Sequence, residues 1–130
     1  MTFTLKSPIL GFEQIEKVRL EKVDENFARL HDEAGSGLVF SLINPYSVRE
    51  YSFDLPMSMQ TLLEITPQSN VLIYNILALG SPGSESVVNF LAPLVLNQDN
   101  QSAAQVVLRS RDYPDFPVAQ RLGDFAATEA

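Results

Sequence analysis

The sequence contains no cysteine and a single histidine, His31. The absence of cysteine excludes disulfides, thiolate nucleophiles and cysteine-ligated zinc, and it is typical of a reducing compartment such as the cytoplasm. One imidazole cannot build a histidine-based metal cluster, so we interpret His31 as a solvated or locally hydrogen-bonded side chain. We therefore expect neither a metal ion nor another cofactor.

Basic residues are also scarce, with 9 Lys and Arg against 16 Asp and Glu and a formal net charge of −7. This negative charge disfavours direct binding to nucleic acid or anionic lipid, so any role near RNA must be indirect. The most apolar run, residues 71–79, is too short for a membrane helix, and no secretory leader stands at the N-terminus. The sequence predicts a cytoplasmic protein that binds neither RNA nor membranes directly.

The composition is that of a globular domain, since 45% of the 130 residues are hydrophobic and 19% are charged. This length fits one hydrophobic core. From Asp112 onward the chain is rich in Pro, Asp, Ala and Gly and loses its periodicity. We predict one domain over residues 1–118, a frayed tail over residues 119–130, and a monomer.

Short apolar runs separated by turn residues predict a mainly β fold. In residues 16–22, for example, Val18 and Leu20 alternate with charged residues, as in a strand with one solvated face. The runs that predict strands are residues 3–5, 16–22, 27–30, 38–43, 71–79, 85–91, 94–97 and 106–109. We expect a turn at 81–83 and a hairpin between the last two runs. The pattern favours a small, mainly antiparallel β-barrel or sandwich.

Residues 56–64 predict the one short α-helix. Asp54 is the expected N-cap, and Pro56 suits the first turn because its fixed backbone angle is already helical. Leu62 and Leu63 are the side chains expected to be buried. We place this helix over one opening of the barrel.

Residues 88–97 are apolar enough for a buried strand but include Asn89, Pro93 and Asn97. Proline cannot donate to a sheet ladder, and buried asparagine side chains need hydrogen-bond partners. This run therefore predicts two short strands separated by a kink at Pro93.

Tyr46 and Tyr51 are the best candidates for a binding surface that the residue types alone provide. They follow the turn at Asn44 and Pro45, and tyrosine is enriched at interaction hot spots. A structural tyrosine that anchors its own loop explains the same pattern equally well.

Several short motifs make this sequence resemble the flagellar assembly factor FliW family over nearly the whole chain. They are Ile9-Leu-Gly-Phe-Glu13, Asn44-Pro-Tyr46 followed by Tyr51, the block with Asn89, Ala92, Pro93 and Asn97, and Tyr113-Pro114. In the Asn44-Pro-Tyr46 motif, Asn44 stands where the family usually has aspartate. This replacement keeps the turn and removes a charge.

The resemblance implies a non-enzymatic regulator. Such proteins bind flagellin and, when free of it, bind and antagonise the RNA-binding translational repressor CsrA, which relieves repression of flagellin synthesis. Net charge of −7 would repel RNA phosphate beside a CsrA-like partner. The candidate partner-binding residues are Glu13, Glu16, Asn44, Pro45, Tyr46, Tyr51, Asn89, Pro93 and Asn97.

Two other classes of function stay open. A small-ligand-binding barrel would use the Asn and Tyr side chains at its mouth, and it predicts a deep pocket that holds Asn89 or Asn97. A hydrolase would use grouped carboxylates, although the sequence shows no recognisable catalytic spacing. The regulator instead predicts a filled barrel with exposed apolar and acidic surface.

Overall fold

The computed structural model describes residues 1–80 and 85–126, and the turn predicted at 81–83 lies outside the described residues. The described part is mainly β with two short helices. The strands are β1 Thr2–Ser7, β2 Lys17–Lys22, β3 Phe27–Asp32, β4 Val39–Ile43, β5 Val71–Ala78, β6 Val87–Val88, β7 Leu94–Asn97, β8 Ser102–Gln105 and β9 Gln120–Arg121. The helices are α1 Met57–Leu62 and α2 Leu122–Ala126.

Seven of these strands close into a barrel in the order β4-β3-β2-β1-β8-β7-β5, because β4 also pairs with β5. The pairing of β1 with β8 is parallel, and the other pairings are antiparallel. β6 and β9 extend the sheet beyond β5. The predicted mainly antiparallel barrel is therefore confirmed.

The interior of the barrel is filled with side chains. On β2, Val18 and Leu20 point inward and are buried while Arg19 between them is exposed, as their alternation predicts. The buried residues contributed by the barrel strands are Phe3, Val18, Leu20, Ala28, Leu30, Phe40, Leu42, Tyr74, Leu94, Leu96 and Ala103. This packing gives the barrel a hydrophobic core made of side chains from each of its strands, as is typical of small barrels.

A second apolar layer covers the outer face of β5, β7 and β8. Val95 and Ala104 alternate with the interior residues of their strands and pack against Leu63, which is fully buried. The helix α1 thus lies over the outer face and does not cover a barrel opening. Asp54 is not the N-cap, because that position is Pro56 and no side chain caps the helix.

The burial predicted for Leu62 is also wrong, since its exposed fraction is 41%. Leu63 directly follows the helix, and its carbonyl accepts hydrogen bonds from the side-chain nitrogens of Asn97 and Asn100 at 2.9 and 3.0 Å. These bonds satisfy a carbonyl that a helix end leaves without an internal partner. They also hold Leu63, and not Leu62, against the sheet.

The predicted split of residues 88–97 is confirmed, because β6 and β7 pair with the same edge of β5 and are separate strands. Leu77 pairs with Val88 and Tyr74 pairs with Leu94. Residues 89–93 therefore bulge opposite only two residues of β5. A ladder cannot continue through Pro93, so side chains must satisfy the backbone there.

The hairpin partner of β7 is β8, and the predicted pairing with residues 106–109 is wrong. Asn97 pairs with Ser102 directly across a turn in which Gln101 has a φ of 58°. The small residues Ser102 to Ala104 suit a loop in the sequence, but they are buried between β1 and β7. Val106 continues the chain beyond the ladder and donates its N–H to the Pro93 carbonyl at 2.9 Å.

The structure describes part of the segment that was predicted as a frayed tail. Residues 120–126 form β9 and α2, and Leu122 and Phe125 pack against the apolar cluster that contains Phe90. The packing of these two apolar side chains could not be predicted from a segment that has no hydrophobic periodicity. Residues 127–130 lie outside the described residues.

Tyr51 joins the loop after β4 to the bulge. It is 6% exposed, and its hydroxyl donates to the Phe90 carbonyl at 2.6 Å and accepts from the Asn75 side-chain nitrogen at 3.3 Å. Its ring lies 5.6 Å from that of Phe90 and 4.7 Å from that of Phe116. Tyr51 is therefore a structural anchor.

We expect Tyr51→Phe to lower the free energy of unfolding by about 1–3 kcal/mol, because the buried Phe90 carbonyl loses its donor. Tyr46→Phe is the matched control, since Tyr46 is 55% exposed and its hydroxyl has no hydrogen-bond partner among the described residues. The control should change stability by less than about 0.5 kcal/mol. Urea denaturation of both variants measures this, and equal losses would contradict the anchoring role.

We also expect the free energy of unfolding to fall at high pH, because the Tyr51 hydroxyl is buried. Burial raises its pKa from 10.0 to about 12 in the folded protein. The unfolded chain thus releases this proton first, and the free energy of unfolding falls as the pH rises from 10.0 to about 12. The fall should be shallower in Tyr51→Phe, whereas the raised pKa values of Tyr46 and Tyr74 affect both proteins alike. Parallel curves for the two proteins would refute the assignment.

Candidate protein-binding surface

Asn44 and Pro45 place Tyr46 on the surface. The chain makes a 3-10 turn over Pro45–Ser47, in which the Asn44 side-chain oxygen accepts from the Tyr46 N–H at 3.0 Å. The Asn44 side-chain nitrogen donates to the Glu25 carbonyl at 3.4 Å, and Pro45 is buried. These fixed neighbours leave the Tyr46 ring 55% exposed.

Tyr46 borders an apolar groove of about 290 Å³, which we call the Tyr46 groove. Most of its lining is contributed by half-buried apolar residues of the loop after β4, the segment after α1 and β5. These residues are Phe53, Leu55, Ile65, Val71 and Ile73. An apolar groove with a tyrosine at its rim suits a protein segment that contributes apolar side chains.

The Tyr46 groove runs beside an unpaired edge of β5. The ladder between β4 and β5 ends at the pair Ile43 and Asn75, because the chain turns away at Asn44. β5 itself continues to Val71 and pairs only with β7 from Val71 to Tyr74. Its other edge there is free of a strand partner among the described residues. An extended segment of another protein could add to such an edge.

Tyr51 supports this surface from below and does not contribute to it. Arg49 covers the neighbouring rings, with its guanidinium carbon 5.3 Å from the Phe90 ring centre and 5.0 Å from that of Phe116. Arg49 also donates to the Asp115 carbonyl at 3.0 Å. The loop after β4 is therefore held by a cation–π contact as well as by the Tyr51 hydroxyl.

The three residues of the predicted kink lie apart from the Tyr46 groove. Asn97 is 1% exposed and bonds the Leu63 carbonyl and, through its side-chain oxygen, the Asp99 N–H at 3.0 Å. Pro93 is buried. Asn89 is half-buried and lines an open cleft at one end of the barrel. The deep pocket expected for a ligand-binding barrel thus does not include Asn97.

Glu13 and Glu16 are exposed, and neither lines the Tyr46 groove. Glu13 accepts from the Gly11 N–H at 3.1 Å, and Gly11 has a φ of 87°, a conformation that favours glycine. The structure therefore groups Asn44, Pro45 and Tyr46, with Tyr51 beneath them, and leaves the two glutamates elsewhere.

The side chains with possible metal chemistry are dispersed. His31 is locally bonded, as expected, with its Nε2 atom 2.9 Å from a carboxylate oxygen of Glu21 on the neighbouring strand. Within residues 1–80 and 85–126 no group of three or more His, Asp or Glu side chains could hold a metal ion. Neither does this part of the chain contain a helix long and apolar enough to cross a membrane.

Sequence reasoning missed most of the Tyr46 groove. Ile65 follows the helix in a segment that the sequence marks only as a chain breaker, and Val71 and Ile73 are indistinguishable from core strand residues. The free edge of β5 arises because β5 is longer than β4, so no local pattern could reveal it.

The chain matches the family model described as FliW protein over residues 1–120. It is 47% identical over 125 residues to flagellar assembly factor FliW 1 of Wolinella succinogenes, covering 96% of this chain and 98% of the relative. It is 46% identical over 131 residues to flagellar assembly factor FliW 1 of Helicobacter pylori strain J99, covering 99% and 97%. A crystal structure of the flagellar assembly factor FliW matches with a TM-score of 0.83 at 27% identity, covering 93% of this chain and 84% of that one. The chain belongs to the FliW family of flagellar assembly factors.

Proposed function

We propose that this protein is a non-enzymatic regulator that binds flagellin and, when flagellin has been exported, binds the translational repressor CsrA and relieves repression of flagellin synthesis. The observation that carries the proposal is the family match over residues 1–120 together with relatives named flagellar assembly factors. Protein binding is the common requirement of both steps. The filled barrel and the exposed apolar groove support it.

The Tyr46 groove is the surface that we assign to partner binding. Burial of its apolar lining against a partner would stabilise the complex, because water is excluded from apolar surface. The tyrosine hydroxyl can stay in contact with solvent at the rim. The free edge of β5 adds unpaired backbone groups that fix the direction of an extended segment. Asn44, Pro45 and Tyr51 act indirectly, by holding Tyr46 and its loop in place.

Acidity supports the antagonism of an RNA-binding partner. With a net charge of −7, this protein raises the negative potential around a bound basic protein and so repels RNA phosphate. Glu13 and Glu16 are exposed and free of ion pairs among the described residues, so their charges act on the surroundings. Asp24 is less suitable for substitution, because its carboxylate accepts from two N–H groups, those of Asn26 and Phe27, and so holds a turn in place.

The three carboxyl groups whose pKa values are lowered are not suited to act as general acids. Hydrogen bonds from His31 to Glu21, from Ser36 to Asp32 and from Asn70 to Asp99 lower the pKa of each carboxyl group. A general acid needs the opposite shift in order to hold its proton near neutral pH. These groups are instead stabilised as surface anions.

Calorimetric titration of this protein with purified flagellin and with CsrA from the same bacterium tests the proposal. We expect binding to each partner, and Tyr46→Ala should weaken it by about 1–2 kcal/mol if Tyr46 is a hot spot. Tyr46→Phe, which keeps the ring, should bind nearly as well as the original protein. Absence of binding to both partners would reject the function, whereas normal binding by Tyr46→Ala would reject only the assigned surface.

The electrostatic part of the mechanism predicts that neutralisation separates binding from inhibition. A protein with Glu13→Gln and Glu16→Gln should still bind CsrA but should inhibit CsrA–RNA binding less. The difference should be largest at low salt, because screening acts over about 10 Å at 0.1 M ionic strength and over longer distances below it.

The matched control carries Glu13→Asp and Glu16→Asp, which preserves both charges and should inhibit normally. An RNA competition assay at low and raised salt, run beside the calorimetry, provides the measurement. Inhibition that ignores both charge and salt would indicate steric blockage or a conformational coupling instead.

A further inference from the structure

An open cleft of about 400 Å³ lies at one end of the barrel, where β4 begins and β5 and β8 end. It is separate from the Tyr46 groove, with which it shares no lining residue. Apolar side chains form most of its walls, among them Ile9, Leu10, Phe12, Ile76, Val87 and Val118. Its volume is within the range of known ligand sites, about 300–1,000 Å³.

Two large apolar residues at this cleft remain exposed. Leu10 is 60% exposed and Val118 is 61% exposed, although they come from distant parts of the chain. A pair of exposed apolar side chains beside an apolar cavity loses contact with water when a ligand covers both. The cleft is therefore open at the side where these residues stand.

Two carboxamide side chains give the cleft its polar character. Gln105 is 8% exposed, and its Oε1 atom accepts from the Leu10 N–H at 2.8 Å. The Oδ1 atom of Asn89 accepts from the Leu91 N–H at 2.9 Å. Because a backbone donor fixes each oxygen, the side-chain nitrogens are the remaining groups, and neither donates to an acceptor in the described part of the chain.

These nitrogens are not sealed inside the protein. Among described residues that are not exposed, the Asn75 Oδ1 atom is the one fully enclosed side-chain polar atom without a partner. The nitrogens of Asn89 and Gln105 therefore keep contact with solvent, and both residues line the cleft. A ligand that filled the cleft would have to replace this water with hydrogen-bond acceptors.

The lining specifies the chemistry of that ligand. None of its residues is ionisable, so a charged group would lose its hydration without gaining a counter-charge. The two free polar groups are donors, so the ligand needs acceptors such as carbonyl oxygens. An uncharged apolar ligand with carbonyl groups satisfies both conditions.

A polypeptide segment fits these conditions better than a small molecule does. Small-ligand sites enclose most of the ligand surface, whereas this cleft has an exposed rim at Leu10 and Val118. A segment of a protein brings its own body to cover that rim, and its main chain supplies carbonyl oxygens next to apolar side chains.

We infer that the cleft at the end of the barrel binds an uncharged apolar segment of a partner polypeptide, with main-chain carbonyls accepting from the side chains of Asn89 and Gln105. An apolar side chain of the segment fills the cavity between Leu10 and Val118. This inference rests on the proposed function only for the identity of the protein that supplies the segment. The binding site itself is tested with peptides, so it can fail or succeed independently of flagellin and CsrA binding.

The test is an NMR titration of the isotope-labelled protein with the blocked peptide acetyl-Leu-Val-Leu-amide. We expect saturable shifts of the side-chain amide signals of Asn89 and Gln105 and of the methyl signals of Leu10 and Val118. The blocked peptide acetyl-Ser-Gly-Ser-amide has the same main-chain carbonyls without apolar side chains, and it should produce no saturable shift.

Val118→Asp should weaken peptide binding by about tenfold or more, because it places a charge where apolar surface must be buried. Val39→Asp is the matched control, since Val39 is 47% exposed and lies outside the cleft. Both variants should keep the spectrum of the folded protein. Absence of saturable shifts, equal binding of the two peptides, or shifts that spare both side-chain amides would overturn the inference.

Discussion

The structure depends on how it satisfies the backbone where the ladder between β5 and its neighbour is interrupted. Residues 89–93 bulge away from β5, and the carbonyls of Asn89 and Phe90 take no part in the ladder. The side chain of Asn75 donates to the first at 2.8 Å, and the Tyr51 hydroxyl donates to the second at 2.6 Å. A buried carbonyl without a donor costs about 1–3 kcal/mol, so these two bonds permit the bulge. The unpartnered Asn75 oxygen is the cost of this arrangement.

The same bonds determine where the loop after β4 runs. Tyr51 reaches the bulge only if its loop crosses the outer face of the sheet, and its ring then packs on Phe116. Arg49 joins this contact from the solvent side. The chain leaves β4 at the Asn44 turn, so β4 does not extend alongside the first residues of β5. That departure produces both the free edge of β5 and the position of Tyr46, and the Tyr51 hydroxyl holds the loop that follows the turn.

Local patterns predicted the parts of the fold that local physics controls. Alternation identified β2, and Pro93 identified the break between β6 and β7, because proline affects its own position in any fold. The register of β8 was missed because Ser102 to Ala104 are small, and their burial comes from β1 and β7 on either side. Leu62 and Leu63 are equally apolar, and the residues that hold Leu63 against the sheet, among them Asn97 and Asn100, are distant in sequence.

The candidate sites were even harder to predict from local patterns, because they combine residues that are distant in sequence. Tyr46 was predictable because a proline turn and a tyrosine are adjacent in the sequence. The groove beside it combines Phe53, Ile65 and Val71, which only the closed barrel brings together. Asn89 was noticed as a polar residue in an apolar run, but Gln105, its partner in the barrel-end cleft, carries no comparable signal. Its importance depends on a hydrogen bond to Leu10, 95 residues away in sequence.

Asn89 connects these two levels of organisation. Its main-chain carbonyl belongs to the buried network of Asn75 and Tyr51, while its side chain faces the barrel-end cleft. The bulge that holds it is fixed by hydrogen bonds from two directions, so its displacement would break several of them at once. Proximity alone therefore provides no coupling between the Tyr46 groove and the cleft, since coupling requires an element with two accessible arrangements. A bulge held in this way leaves the two proposed binding surfaces independent of each other.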